Sequence, residues 1–237
     1  MLRQLGYSNV HPPSTKVNSM ELTNRYAEAL QLAYKLHKKQ YRKGTEIPYL
    51  SHLLAVSAIV MEHGGSEDEA IAALLHDAVE DAGKASVLQS VREVLGDPDL
   101  APAEAGTRVL EYIRERFGDA VAHIVRECSD AETDPKPPYL ERKRACLSRL
   151  REAPPPARLV SAADKLHNLR AIVADYRVHG EALWQRFVSE VESTEEKRRL
   201  TLWYYRELAR EFSSARGPGV IGAELERLLA SFDAEQF

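Results

Sequence analysis

Residues 71–83 read IAALLHDAVEDAG, and the fold is decided there. Ile71, Ala72, Leu74, Leu75, Ala78 and Val79 make an apolar helix, into which His76, Asp77, Glu80 and Asp81 are set. Ser66-Glu67-Asp68-Glu69 is a capping box that opens this helix, and Gly83 stops it. Side chains three or four apart share a face, which puts His76 beside Glu80 and Asp77 beside Asp81. Burying so many ionisable groups among aliphatic ones is unfavourable unless something compensates them, and a metal ion would.

Two further stretches supply partners. Upstream, RKGTEIPYLSHLLAV (42–56) carries His52, and downstream, VSAADKLHNLRAI (160–172) carries Asp164. Both read as helical, so three separate helices can bring His52, His76, Asp77 and Asp164 to one point. Two imidazoles with two carboxylates suit a divalent transition metal such as Fe, Zn, Ni or Mn.

The remaining chain is all-α in its periodicity, with no alternating strand pattern of useful length. A first amphipathic helix spans about 21–41, with Tyr26, Leu30, Ala33 and Leu36 on one face. Pro48 suits the first turn of the next helix, which carries Leu50, Leu53, Leu54, Val56, Ile59 and Val60 and ends at His63-Gly64-Gly65. Another helix runs from about 85 to Gly96. GDPDLAPAEAG (96–106) reads as a loop, and TRVLEYIRERFGDAVAHIVREC (107–128) resumes helical spacing with a break at Gly118. A polar loop, SDAETDPKPP (129–138), precedes the basic helix YLERKRACLSRLREA (139–153). Pro154-Pro155-Pro156 break the chain before the helix holding Asp164. Ser193-Thr194-Glu195-Glu196 is a second capping box, and GAELERLLASF (222–232) forms a short closing helix.

Composition bounds the rest. At 237 residues, 44% hydrophobic and 29% charged, the chain suits one globular domain over 21–237 behind a short tail, 1–20, that could be disordered. No apolar run approaches the roughly 18 residues of a membrane span, and the N-terminus lacks a secretory apolar core. Cys128 and Cys146 are the only cysteines and are not in a CxxC spacing, which fits a reducing cytoplasm better than a disulfide framework. A net charge of −4 argues against nucleic-acid or acidic-membrane partners, so cations for an anionic ligand must be gathered locally.

The ligand pattern H…HD…D resembles the HD-domain phosphohydrolases. RKGTEIPYLSHLLAV, ALLHDAVEDAG and ADKLHNLRAI together resemble the hydrolase domain of RelA/SpoT-type proteins over about 22–212. That resemblance implies removal of the 3′-pyrophosphate of (p)ppGpp by a compact helical domain. The long members carry a synthetase and regulatory domains after the hydrolase, for which this chain ends too early, so a stand-alone small alarmone hydrolase is expected. It further implies Mn²⁺ held by His52, His76, Asp77 and Asp164, with Glu80 and Asp81 matching the HDxxED motif as the pair that orients or deprotonates water. Arg42 and Lys43 stand where the family contacts guanine, and a planar guanidinium can stack on a purine. Tyr49, one turn before His52, can face the site. Asn168 matches the HN of the family's DRLHN motif and would contact ribose or base, whereas this chain has Lys165 in the arginine position and Ala171 where a threonine often stands. On the basic helix, Arg142, Lys143 and Arg144 resemble the family's ERKR segment, and at least one, with Lys143 foremost, would meet the pyrophosphate. Arg198, Arg199, Trp203 and Tyr204 are open candidates for the distal phosphate.

Two other functions compete. A hydrolase of another phosphorylated nucleotide, such as NADPH, could use the same metal and pocket. A non-catalytic alarmone-binding module would have lost a ligand or the ED pair, and all six residues are present. Oligomeric state is not written in the sequence.

Overall fold

The computed structural model describes residues 20–129, 137–214 and 217–234, so the expected tail lies almost wholly outside the described residues. Among these the chain is all-α as expected, and its one extended feature is an isolated bridge between Tyr41 and Pro48. In order the helices are α1 (Asn24–His37), α2 (Leu50–Glu62), α3 (Glu67–Leu75), α4 (Ala78–Asp81), α5 (Leu88–Leu95) and α6 (Pro102–Phe117). They continue as α7 (Asp119–Cys128), α8 (Tyr139–Glu152), α9 (Pro155–His179), a 3₁₀ helix (Gly180–Arg186), α10 (Thr194–Ser213) and α11 (Gly219–Ala234).

The 25-residue α9 is the pillar of the bundle, packed against α2, α3, α7 and α11. Ala162, Ala163, Leu166 and Leu169 are fully enclosed, and the two alanines let neighbouring backbones come close to Asp164. Ile71, Ala72, Ala73, Leu74 and Leu75 of α3 are likewise fully enclosed. That helix is apolar all round because it is surrounded, and Ser66 and Glu69 cap it with both halves of the predicted box.

Several boundaries differ from the sequence expectation, each for a local reason. α1 starts at Asn24, because the Thr23 hydroxyl accepts from the Arg25 N–H and caps it there. Residues 102–106, expected as loop, are helical, since Pro102 sits in the first turn where its missing N–H is not needed. The same rule places Pro155 and Pro156 inside α9, so the proline run opens that helix rather than breaking the chain ahead of it. The helix expected through 83 is interrupted at His76 and Asp77. There the His76 Nδ1 donates at 2.8 Å to the Ala73 carbonyl, the group an uninterrupted helix would offer to the Asp77 N–H. At Ser193 half of the box forms: its hydroxyl takes the Glu196 N–H, and the Glu196 carboxylate turns to Arg199 instead. The 3₁₀ helix after α9 had no signal in the periodicity.

Two glycines hold α4 against α6. A Cβ at Gly83 would stand 2.7 Å from the Pro102 carbonyl oxygen, and one at Gly106 would stand 3.0 Å from that of Val79. Backbone meets backbone at both points, so no side chain can yield. Gly83→Ala is expected to cost about 1–3 kcal/mol as overpacking does, read as a lower denaturant midpoint; an unchanged midpoint would mean that α4 and α6 can separate freely.

Candidate metal centre and substrate cavity

Three helices converge as the sequence implied. His52 comes from the first turn of α2, His76 and Asp77 from the break between α3 and α4, and Asp164 from the middle of α9. Ligand atoms of His52, His76 and Asp164 all lie within 4.8 Å of one another, and all three residues are buried. The Nε2 of His52 stands 3.2 Å from Asp164 Oδ1 and 3.7 Å from Asp77 Oδ2. That of His76 stands 3.0 Å from Asp77 Oδ2 and 3.8 Å from Asp164 Oδ1. Asp77 thus reaches both imidazoles from the side of the three-residue cluster.

The cluster fits a cation on its own evidence. His76 Nε2 is buried and has no hydrogen bond, although Asp77 Oδ2 lies 3.0 Å away. Its Nδ1 is committed to Ala73 O, which leaves Nε2 facing the carboxylates. Burial opposes charge on His76, but Asp77 and Asp164 override it and hold the imidazole well above its ordinary range. Burial likewise opposes ionisation of Asp164, and Lys165 with the two histidines outweighs that and keeps its carboxyl well below the usual range. At His52 burial wins, and the imidazole is held neutral. A buried and a partly buried carboxylate beside two imidazoles favour positive charge, and a divalent ion held by His52, His76 and Asp164 would supply it.

Neighbouring side chains hold these groups in place. Tyr49 donates to Asp77 Oδ2 at 2.5 Å, and burial keeps its phenol protonated. Asn168 donates to Asp164 Oδ1 at 2.5 Å while its own oxygen accepts from Arg42 at 2.9 Å. Lys165 donates to Asp164 Oδ2 at 2.6 Å. His167 Nδ1 lies 2.8 Å from His52 Nδ1, and burial, aided by His52 and Arg42, pushes the His167 pKa down to about 4.

Glu80 and Asp81 face different surroundings. Glu80 lines a narrow chamber with Asp77, Asp164, Lys165, Lys143 and Arg149. Asp81 is buried away from that lining, taking Gln40 Nε2 at 2.6 Å on one oxygen and Lys84 on the other. Cys128 and Cys146 also line the chamber, and burial pushes the Cys128 thiol up to about 11.

A larger cavity of about 490 Å³ adjoins it, and Lys143 lines both. Arg42, Lys43, Tyr49 and Asn168 stand in its wall, as do Arg142 and Ala171. Arg144 is exposed and lies outside both linings. Of the late candidates, Tyr204 lines the narrow chamber, with the Lys143 ammonium 4.4 Å over its ring. Arg198 reaches the Phe232 carbonyl, Arg199 pairs with Glu196, and neither they nor Trp203 line either cavity.

Sequence reasoning passed over His37 and Gln40. His37 is buried, bonds to Gln40 and stacks on Tyr49 at 5.5 Å between centroids. Spacing could have flagged His167, three residues after Asp164 on one helix face, whereas nothing local marks Gln40. Arg149 and Arg186, each lining a cavity, were missed for the same reason.

A histidine–aspartate cluster at the crossing of α2, α3 and α9 defines a helical metal-site protein, and comparison gives that class its name. The family model described as HD domain matches residues 29–187, and the chain belongs to that family. It is 37% identical over 146 residues to guanosine-3′,5′-bis(diphosphate) 3′-pyrophosphohydrolase MESH1 of Xenopus tropicalis, covering 60% of this chain and 66% of the relative. The human protein of that name is 34% identical over the same shares. A GTP pyrophosphokinase of Streptomyces coelicolor is 30% identical across 84% of this chain, which spans only 19% of that much longer protein. Among solved structures, one described as a metazoan ortholog of SpoT that hydrolyzes ppGpp superposes with a TM-score of 0.62 at 24% identity, covering 90% of this chain and 98% of that one. That likeness shows the fold. The chain spans just under two thirds of the length of the MESH1 relatives it matches. No helix among the described residues is long and apolar enough to cross a membrane.

Asp164→Asn keeps the shape of the cluster and removes one charge. Calorimetric titration of the metal-stripped variant with Mn²⁺ is expected to show affinity lower by more than the ~10–100-fold that loss of a supporting partner costs. Affinity equal to that of the unaltered chain would remove Asp164 from the site.

Proposed function

We propose that this protein is a metal-dependent hydrolase that removes the 3′-pyrophosphate of (p)ppGpp, giving GDP or GTP and pyrophosphate. The observation that carries the reading is the pair of cavities meeting at Lys143. One is nucleoside-sized, with Arg42, Lys43 and Asn168 in its wall, and the other sets Lys143, Arg149 and Lys165 against the histidine–aspartate cluster. A guanosine with pyrophosphate on its 3′-oxygen has that shape and charge. The activity named for the MESH1 relatives supports the same substrate.

In this reading His52, His76, Asp77 and Asp164 hold one divalent ion, and Mn²⁺ is the one that the resemblance to the RelA/SpoT-type hydrolases implies. When bound, it polarises the phosphoryl group and acidifies water. The residues do the rest. Lys143 and Arg149 neutralise the pyrophosphate, as phosphoryl transfer requires. Glu80, the carboxylate in the narrow chamber that is not a ligand, takes the proton from the attacking water. Water oxygen bonds to the phosphorus attached to O3′, the O3′–P bond breaks, and the proton taken up by Glu80 passes to the departing O3′. Asp81, tied to Gln40 and Lys84, fixes the turn that carries Glu80 and Asp77. Arg42 stacks on or borders the base and transmits its position to Asp164 through Asn168.

Three measurements test this. Incubation with ppGpp and Mn²⁺ is expected to release GDP and pyrophosphate, and to stop with chelator. Release of phosphate from NADPH alone would keep the metal site and change the substrate, and binding of ppGpp without turnover would make the chain a sensor. Glu80→Gln is expected to keep metal and ppGpp binding while lowering kcat about 10²–10⁴-fold, and a smaller loss than Asp81→Asn would exchange their roles. Arg42→Ala is expected to raise KM for ppGpp about tenfold, roughly 1.4 kcal/mol, with a smaller change in kcat; an unaltered KM would move the base elsewhere.

A further inference from the structure

His167 contributes no atom to either cavity lining, yet its ring lies against the most enclosed ligand of the centre. His52 is 1% exposed, so no solvent can take over a hydrogen bond that its side chain loses. Its two ring nitrogens face different partners. Nε2 points at Asp164 and Asp77, 3.2 Å and 3.7 Å away, while Nδ1 has one hydrogen-bond partner, His167 Nδ1 at 2.8 Å.

Two ring nitrogens at that separation share a single proton, since two N–H groups would repel and two lone pairs would leave both unsatisfied. A metal at the cluster needs the lone pair of His52 Nε2. The proton of the neutral His52 ring is then on Nδ1, and His167 Nδ1 must accept it, carrying its own proton on Nε2. We propose that His167 is a positioning residue for the metal centre, whose Nδ1 accepts the His52 Nδ1–H and thereby keeps His52 Nε2 bare and turned toward the carboxylates. The parallel with His76 is close. There a backbone carbonyl, Ala73 O, does the same for Nδ1 at the same 2.8 Å. One histidine ligand is therefore oriented by main chain and the other by a side chain that substitution can remove.

The position of His167 supports the assignment. It stands three residues after Asp164 and one before Asn168, so one stretch of α9 supplies a ligand, two hydrogen-bond donors to that ligand and the acceptor for a ligand on α2. Because α9 is a continuous helix, the spacing among these groups cannot drift. Ligand-orienting partners of this kind typically change metal affinity by about 10–100-fold.

The inference rests on the metal reading above, and one calorimetric series separates the two. Metal-stripped unaltered protein, His167→Phe and His167→Asn are each titrated with Mn²⁺, and metal-free thermal melts are recorded in parallel. Phenylalanine keeps the ring and removes the acceptor, while the asparagine Oδ1 occupies the place of Nδ1 and restores it. His167→Phe is expected to bind about 10–100-fold more weakly with its metal-free melting temperature little changed, and His167→Asn to recover most of the affinity. Equal affinity in His167→Phe and the unaltered protein would overturn the proposal. So would equal weakness in both variants, which would make the effect one of packing. If His167→Phe does not fold, His167→Asn with undiminished affinity beside a weakened His167→Ala decides for it, and loss in both decides against it. Failure of the unaltered chain to bind the ion would instead sink the metal reading itself.

Discussion

Two carboxylates, Asp77 and Asp164, are held inside the protein facing the Nε2 atoms of His52 and His76. Placing that much negative charge in a protein interior costs several kcal/mol per ion unless it is met by charge and hydrogen bonds. The surrounding architecture answers this constraint. α9 is long and packs against α2, α3 and α7, and it brings Asp164 to His52 of α2 and to His76 at the end of α3. The α3 helix stops at His76, which lets Asp77 swing toward the same point. Gly83 and Gly106 bring α6 against the following turn and keep Glu80 and Asp81 from drifting.

From the cluster outward, hydrogen bonds run in two directions. One goes from Asp164 through Asn168 to Arg42 and so to the wall of the larger cavity. The other goes from Asp77 to Tyr49, whose ring stacks on His37, and from His37 through Gln40 to Asp81. Networks with every member satisfied are rigid, and partly satisfied ones are unfavourable in a low-dielectric interior. His37 Nε2 and His76 Nε2 are the unsatisfied members along these paths. The second faces the Asp77 and Asp164 carboxylates; the first has no counterpart that explains it.

Charge is distributed with the same economy. The chain is acidic overall, at −4, yet both cavities are walled with cations: Arg42, Lys43, Arg142 and Arg186 around the larger one, Arg149 and Lys165 around the narrower, and Lys143 at their junction. A locally cationic concavity on an acidic body concentrates positive potential on an anionic ligand that enters it. The basic helix α8 and the segment between α1 and α2 do this from opposite sides, which sequence distance conceals.

The all-α class, the core of α3 and the stretches that bring His52, His76, Asp77 and Asp164 together could be read from the sequence, because helical periodicity is a local property. The capping box at Ser66 and the Gly118 break were legible for the same reason, as both depend on residues within one turn. Prolines 102, 155 and 156 were misjudged because a proline that breaks a helix interior also opens a helix, and only the residues that pack against the first turn decide which. Glu80 and Asp81 are adjacent and chemically alike, so sequence could not tell their surroundings apart; Gln40, reaching Asp81 from the segment after α1, does. His37 and His167 share that lesson. Their surroundings come from helices distant in the chain, and burial, tautomer and hydrogen-bond partner are properties of a place in the packed molecule. The sequence by itself determined which chemistry is present and on which helices. Tertiary structure alone decided which nitrogen faces which oxygen, because contacts across α1, α2, α4 and α9 exist only after those helices have packed.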